Sequence, residues 1–256
     1  MKTPTAPATA PTAPTGSTGS TVSAVPPVGA IDHLVIMAAS LAEGVAWCEA
    51  MLGVTPGPGG EHPLMGTHNR LLRIAAPDFP NVYLEIIAIN PVANKDQRTM
   101  GKRWFDMENP DLMAQVARDG PQLIHWVARV PDVRAAVASL AAQDIHRGDV
   151  IQASRATPNG LLQWQITVRP DGQRLFGGCL PTLIQWGDTH PAANMPESGV
   201  TLLSLSLQHP DASTLAAACD GLGLTPYRVT AGPARLSALL QTPKGPIELH
   251  SGNPLS

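Results

Sequence analysis

The chain has 256 residues, enough for one large or two small domains with a sizeable core. Its 17 Lys and Arg against 20 Asp and Glu leave a net charge of −3, which gives no basic field for nucleic acid. No apolar run reads as a membrane span, so a small-molecule partner is the expectation that remains.

Residues 1–29 are almost entirely Thr, Ala, Pro, Ser and Gly, a composition that cannot bury enough apolar surface to offset chain entropy, so a disordered tail is expected. Prolines and threonines break every apolar run after Lys2, so the tail does not read as an export signal. Ile31 opens a short apolar run that predicts a strand over 31–37. A helix follows, with Ser40 as N-cap, Glu43 as its capping-box partner, and Leu41, Val45, Cys48 and Leu52 at helical spacing before Gly53.

From 55 to 66 prolines and glycines force irregular backbone around Glu61-His62-Pro63, with room for one short strand. Strands at 67–74 and 82–89 complete a β-α-β-β unit. Residues 91–121 are rich in charge and read as a connector, with a helix at 110–118 that Asn109 caps and Pro110 opens. The order of elements then recurs: strand 123–130, helix 132–143, strands 160–168 and 182–186. It begins once more with strand 202–207, helix 213–222, and strands 236–241 and 246–250. The turn Met51-Leu52-Gly53-Val54-Thr55-Pro56 is matched by Gly221-Leu222-Gly223-Leu224-Thr225-Pro226, so three similar units are expected: 30–90, 122–190 and a partial one at 199–252.

Two of these strands carry an ionisable residue inside an otherwise apolar run: His33 in the first and Glu85 in the third of the opening unit. Such a group is costly to bury unless it is paired or bound to metal. Either a metal site or a hydrogen-bonded His/Glu pair lining a pocket satisfies that requirement. Ile124-His125-Trp126-Val127 and Leu183-Ile184-Gln185-Trp186 repeat the pattern in the second unit. Cys48, Cys179 and Cys219 are odd in number, widely spaced and outside any CxxC pair, which reads as buried free thiols in a reducing cytoplasm.

Asp32-His33-Leu34-Val35, the loop Gly59-Gly60-Glu61-His62-Pro63 leading to Gly66-Thr67-His68-Asn69, and Tyr83-Leu84-Glu85 carry a resemblance to a known family. Arg155, Pro158, Gly160 and Trp164 extend it, as does Leu183-Ile184-Gln185-Trp186. On these residues the chain resembles the glyoxalase-like domain family of the vicinal oxygen chelate superfamily. The resemblance implies an α+β fold in which tandem βαβββ modules form curled mixed sheets, here with a third, incomplete module. It places metal ligands on the first and last strands of each module, at His33, Glu85, His125 and Gln185. It also implies a divalent ion, Zn, Ni, Co, Mn or Fe, and isomerase or lyase chemistry. Gln185 stands where a carboxylate would be more usual and cannot take a proton at neutral pH, so the general base falls on Glu85. The alternatives are a metal-free binding protein and an Fe(II) extradiol-type dioxygenase using His33, His125 and Glu85.

His62 and His68 are candidates for substrate contact, proton transfer or an alternative ligand, against a role in shaping the loop. His68 and Asn69 are adjacent on a strand, so only one of them can face inward. Arg155 offers a bidentate donor for a substrate carboxylate, or is a solvated edge residue. Trp126, Trp164 and Trp186 either wall the pocket against an aromatic or apolar substrate or belong to the core. An odd number of modules leaves one apolar face to cover, which predicts packing of the third unit on the other two or on its twin in a homodimer.

Overall fold

The computed structural model describes Met1 and residues 29–94, 101–158, 160–225 and 227–252. The tail expected to be disordered lies, apart from Met1 and Gly29, outside these residues. The first unit is β1 (Ala30–Met37), α1 (Leu41–Leu52), β2 (Glu61–His62), β3 (Thr67–Arg73) and β4 (Tyr83–Ile89). Local chemistry sets its helix: the Ser40 hydroxyl accepts from the Glu43 backbone N–H, and Gly53, at φ 77°, adopts the left-handed turn that ends it. The connector helix α2 (Pro110–Asp119) is capped by the Asn109 carboxamide, which accepts from the backbone of Asp111 and Leu112.

The second unit runs β5 (Gln122–Arg129), α3 (Val133–Ala141), β6 (Asp149–Thr157), β7 (Gly160–Val168) and β8 (Thr182–Trp186). The third runs β9 (Thr201–His209), α4 (Ala212–Gly221), β10 (Arg228–Ala231), β11 (Arg235–Thr242) and β12 (Gly245–His250). Strands β6 and β10 escape the sequence reading because both are sheet edges with no fully buried side chain and little apolar periodicity.

The first two units merge into one eight-stranded curled mixed sheet, ordered β2-β3-β4-β1-β5-β8-β7-β6. At its centre β1 pairs parallel to β4 and antiparallel to β5. The α+β architecture with curled mixed sheets is the one expected. The third unit repeats the element order with a different pairing, β10-β9-β11-β12.

Alternation along the central strands sends side chains to two separate cores. Leu34, Ile36, Leu84, Ile86 and Trp126 point to the outer face, where they meet α1, α3 and the leucines of β9 and β11. The third unit therefore covers its apolar face against the other two within one chain. Each fully buried leucine there contributes about 1.5–3 kcal/mol. Val35, Met37, Ile87, Val127, Ile166 and Ile184 point to the inner face, and Phe105, Met107, Leu112 and Val116 of the connector fill part of that hollow. Among the described residues no helix is long and apolar enough to cross a membrane.

Candidate functional site

Where β1 crosses from β4 to β5, its register against β5 slips between Ile31 and His33, so that Asp32 is an extra residue opposite the Ala128-Val127 step. A bulge breaks the alternation of side chains. It lets the adjacent Asp32 and His33 side chains meet, with Asp32 Oδ1 2.6 Å from His33 Nδ1. The other carboxylate oxygen, Oδ2, accepts from Trp186 Nε1 at 2.8 Å and lies 2.9 Å from His190 Nε2. Burial alone would raise the Asp32 pKa, but hydrogen bonds from His190 and His33 together outweigh it and hold the carboxyl below the usual range.

With Nδ1 of His33 held by Asp32, its Nε2 faces the inner hollow and Glu85 Oε2 at 3.6 Å. The imidazole stacks on Tyr83, ring centres 4.6 Å apart, and burial pushes the Tyr83 pKa well above its ordinary value, reinforced by the charge of Asp32. Glu85 is only 5% exposed, and its Oε1 accepts from Asn69 Nδ2 at 2.6 Å. Asn69 is itself held through Oδ1, which accepts from Gly60 N at 2.7 Å. A Cβ on Gly59 would come within 2.2 Å of the Asn69 carbonyl, so the glycine allows that approach. His62 Nε2 lies 4.0 Å from Glu85 Oε1, and its Nδ1 lies 3.0 Å from Thr67 Oγ1. Burial lowers the His62 pKa to about 4 despite the opposing pull of Glu85, so this imidazole is neutral.

These groups line a chamber of about 40 Å³, walled by Trp104, Phe105, Leu162, Trp164 and Trp186, with Arg155 at its rim. Arg155, Leu71, Leu162 and Pro191 are shared with a vestibule of about 570 Å³.

The structure thus brings together His33, Glu85, His62, Asn69, Arg155 and Trp164 from the residues singled out in the sequence. His68 does not line the chamber, as its alternation with Asn69 requires. Trp126 is fully buried in the outer core, donating from Nε1 to the Cys179 carbonyl, and is not a pocket wall.

His125 and Gln185 do not join the expected ligand set. His125 Nδ1 lies 3.0 Å from the Gly178 carbonyl and Nε2 accepts from Thr182 N at 3.1 Å, so both nitrogens are engaged within the protein. On β8 it is Ile184 and Trp186 that face the chamber. Gln185 lies between them on the opposite face, where its Oε1 accepts from Val133 N at the start of α3. Among the described residues no three His, Cys, Asp or Glu side chains already stand at metal-ligand spacing.

Asp32, Tyr83 and His190 also belong to the site, although none of them is among the candidate site residues that the sequence offers. Tyr83 was within reach, since it is two residues before Glu85 on one strand and shares its face. The bulge that turns Asp32 inward and the coil that carries His190 back to it leave no periodic signal.

A family model for the glyoxalase-like domain matches residues 31–223. Among solved structures, a hypothetical protein from Staphylococcus aureus is 14% identical with a TM-score of 0.55, covering 81% of this chain and 88% of that one. Methylmalonyl-CoA epimerase from Streptomyces coelicolor is 17% identical over 65% of this chain and 97% of its own, with a TM-score of 0.38. The Mycobacterium tuberculosis epimerase is also 17% identical, over 64% of this chain and 91% of its own, with a TM-score of 0.35. No curated protein matches the chain. The match over residues 31–223, on a curled mixed sheet built from paired βαβββ units, shows that the chain belongs to the glyoxalase-like domain family, with the vicinal oxygen chelate fold.

Proposed function

We propose that this protein is a divalent-metal-dependent isomerase or lyase that moves a proton at a carbon next to a substrate oxygen. One observation carries the reading. Asp32 holds the Nδ1 proton of His33, so His33 turns its Nε2 lone pair toward the Glu85 carboxylate at 3.6 Å, and His62 Nε2 stands 4.0 Å from the same carboxylate. Acceptors facing one another in a buried chamber are stable only with a cation or proton among them.

Two imidazoles and a carboxylate suit the divalent ions expected from the sequence, with His62 in place of His125 and Gln185. A carboxylate on the far nitrogen of a ligating histidine fixes its tautomer and orientation, which is the relation of Asp32 to His33. Such an ion, when bound, polarises a substrate oxygen. Asn69 holds Glu85 Oε1, leaving Oε2 to accept a proton from carbon, and Trp164, Trp186 and Leu162 keep water from the exchanged proton.

The test is elemental analysis of untagged protein beside His33→Ala, Glu85→Ala, His62→Ala and Gln185→Ala, purified identically. The first two are expected to lose a near-stoichiometric divalent metal, His62→Ala to hold less, and Gln185→Ala to match the parent. Protein that neither retains a metal nor loads one at micromolar concentration refutes the metalloenzyme and favours the metal-free binding protein. The two-histidine, one-carboxylate set also favours a second reading, an Fe(II) oxygenase. Turnover that consumes oxygen identifies it.

A further inference from the structure

Arg155 is the cation at the junction of chamber and vestibule, and among the described residues no carboxylate pairs with it. Among the described residues it makes no hydrogen bond or ion pair, while the other vestibule arginine, Arg73, is engaged by Glu197 at 3.3 Å and by the Ala192 carbonyl. Its position is built. A Cβ on Gly60 would collide with Arg155 Nη1, so the guanidinium lies in the space that a side chain at this position of the β2 loop would fill.

Around it the vestibule is walled by Val54, Leu71, Leu161, Leu162, Pro191 and Met195. Leu161 is 57% exposed, so an apolar surface lies open to solvent beside an unneutralised charge. We infer that the substrate is an amphipathic carboxylic acid, with its carboxylate on Arg155, a small reactive head in the chamber and an apolar chain in the vestibule. A single planar guanidinium neutralises a singly charged carboxylate in full, whereas it would leave a phosphate dianion half neutralised, Arg73 being paired with Glu197. A chamber of about 40 Å³ admits only a few heavy atoms, so the bulk of any larger substrate must occupy the 570 Å³ beyond it. This assignment rests on the proposed reaction for the location of the reactive head.

Binding is measured by calorimetry and by quenching of tryptophan emission, with 2-oxooctanoate, pyruvate, which lacks the chain, and 2-octanone, which lacks the carboxylate. The long acid is expected to bind more than tenfold tighter than either truncated probe, and Arg155→Met to lose more than tenfold. Gly60→Ala pushes the guanidinium aside without removing it and is expected to lose affinity as well. Glu85→Gln is expected to bind the long acid while failing to exchange its C3 protons with D2O, which separates this inference from the reaction. No binding of 2-oxooctanoate, equal binding of either truncated probe, or unchanged affinity in both Arg155→Met and Gly60→Ala overturns it.

Discussion

Asp32 shows how much of the site depends on one buried carboxylate. Its three partners, His33, Trp186 and His190, come from β1, the end of β8 and the coil beyond it. Asp32→Asn keeps the shape but leaves one oxygen to serve three groups and turns an amide N–H toward them. Metal affinity, measured by competition with a chromophoric chelator, is expected to fall about 10–100-fold, the usual cost of losing a carboxylate behind a ligating histidine. Unchanged affinity would show that His33 is oriented without it. At this scale the sequence was half legible. His33 and Glu85 announced themselves as ionisable residues in apolar strands, whereas Gln185 misled because the chamber-facing residues of β8 are its two neighbours. A shift of one residue in a strand moves a side chain to the other side of the sheet, and strand composition alone does not fix that register.

Elements were more legible than side chains. Capping chemistry placed α1 and α2, and apolar runs placed β1, β4, β5 and β8, while the edge strands β6 and β10 carried too little periodicity to be seen. His125, expected to bind metal, instead ties β5 to the turn at Gly178 and to the first residue of β8. Burial first, then the nearby Arg147 charge, holds its pKa well below 6.5. Above pH 6.5 the ring is neutral in the folded and unfolded chain alike, so the contribution is fully present. As pH falls below 6.5 the unfolded chain takes up a proton that the folded one refuses, and stability is lost. His125 therefore contributes up to about 1.4 kcal/mol of destabilisation per pH unit below 6.5. Denaturant titrations at several pH values are expected to show a shallower slope in His125→Gln, and an identical slope would refute the assignment.

Across the whole molecule, the third unit is part of a shared core rather than an appendage. Leu240 on β11 is fully buried in the cluster that also contains Leu34, Trp126 and Ala218. Leu240→Ala is expected to cost about 2–5 kcal/mol and to lower a single unfolding transition of the entire chain. A separate early transition, with tryptophan emission from the chamber unchanged, would mean that the unit folds on its own.

The same layer between the two sheets holds all three cysteines, each buried and with its thiol pushed up in pKa by burial, to about 12 for Cys48 and Cys219. In the closed protein burial disfavours the thiolate that an alkylating reagent needs at all three. The rate of thiol labelling is therefore a native clock for the opening of the outer layer, while Trp164 and Trp186 report on the chamber from the opposite side of the sheet. A ligand that slows the clock would reveal that filling the hollow tightens a surface it never touches.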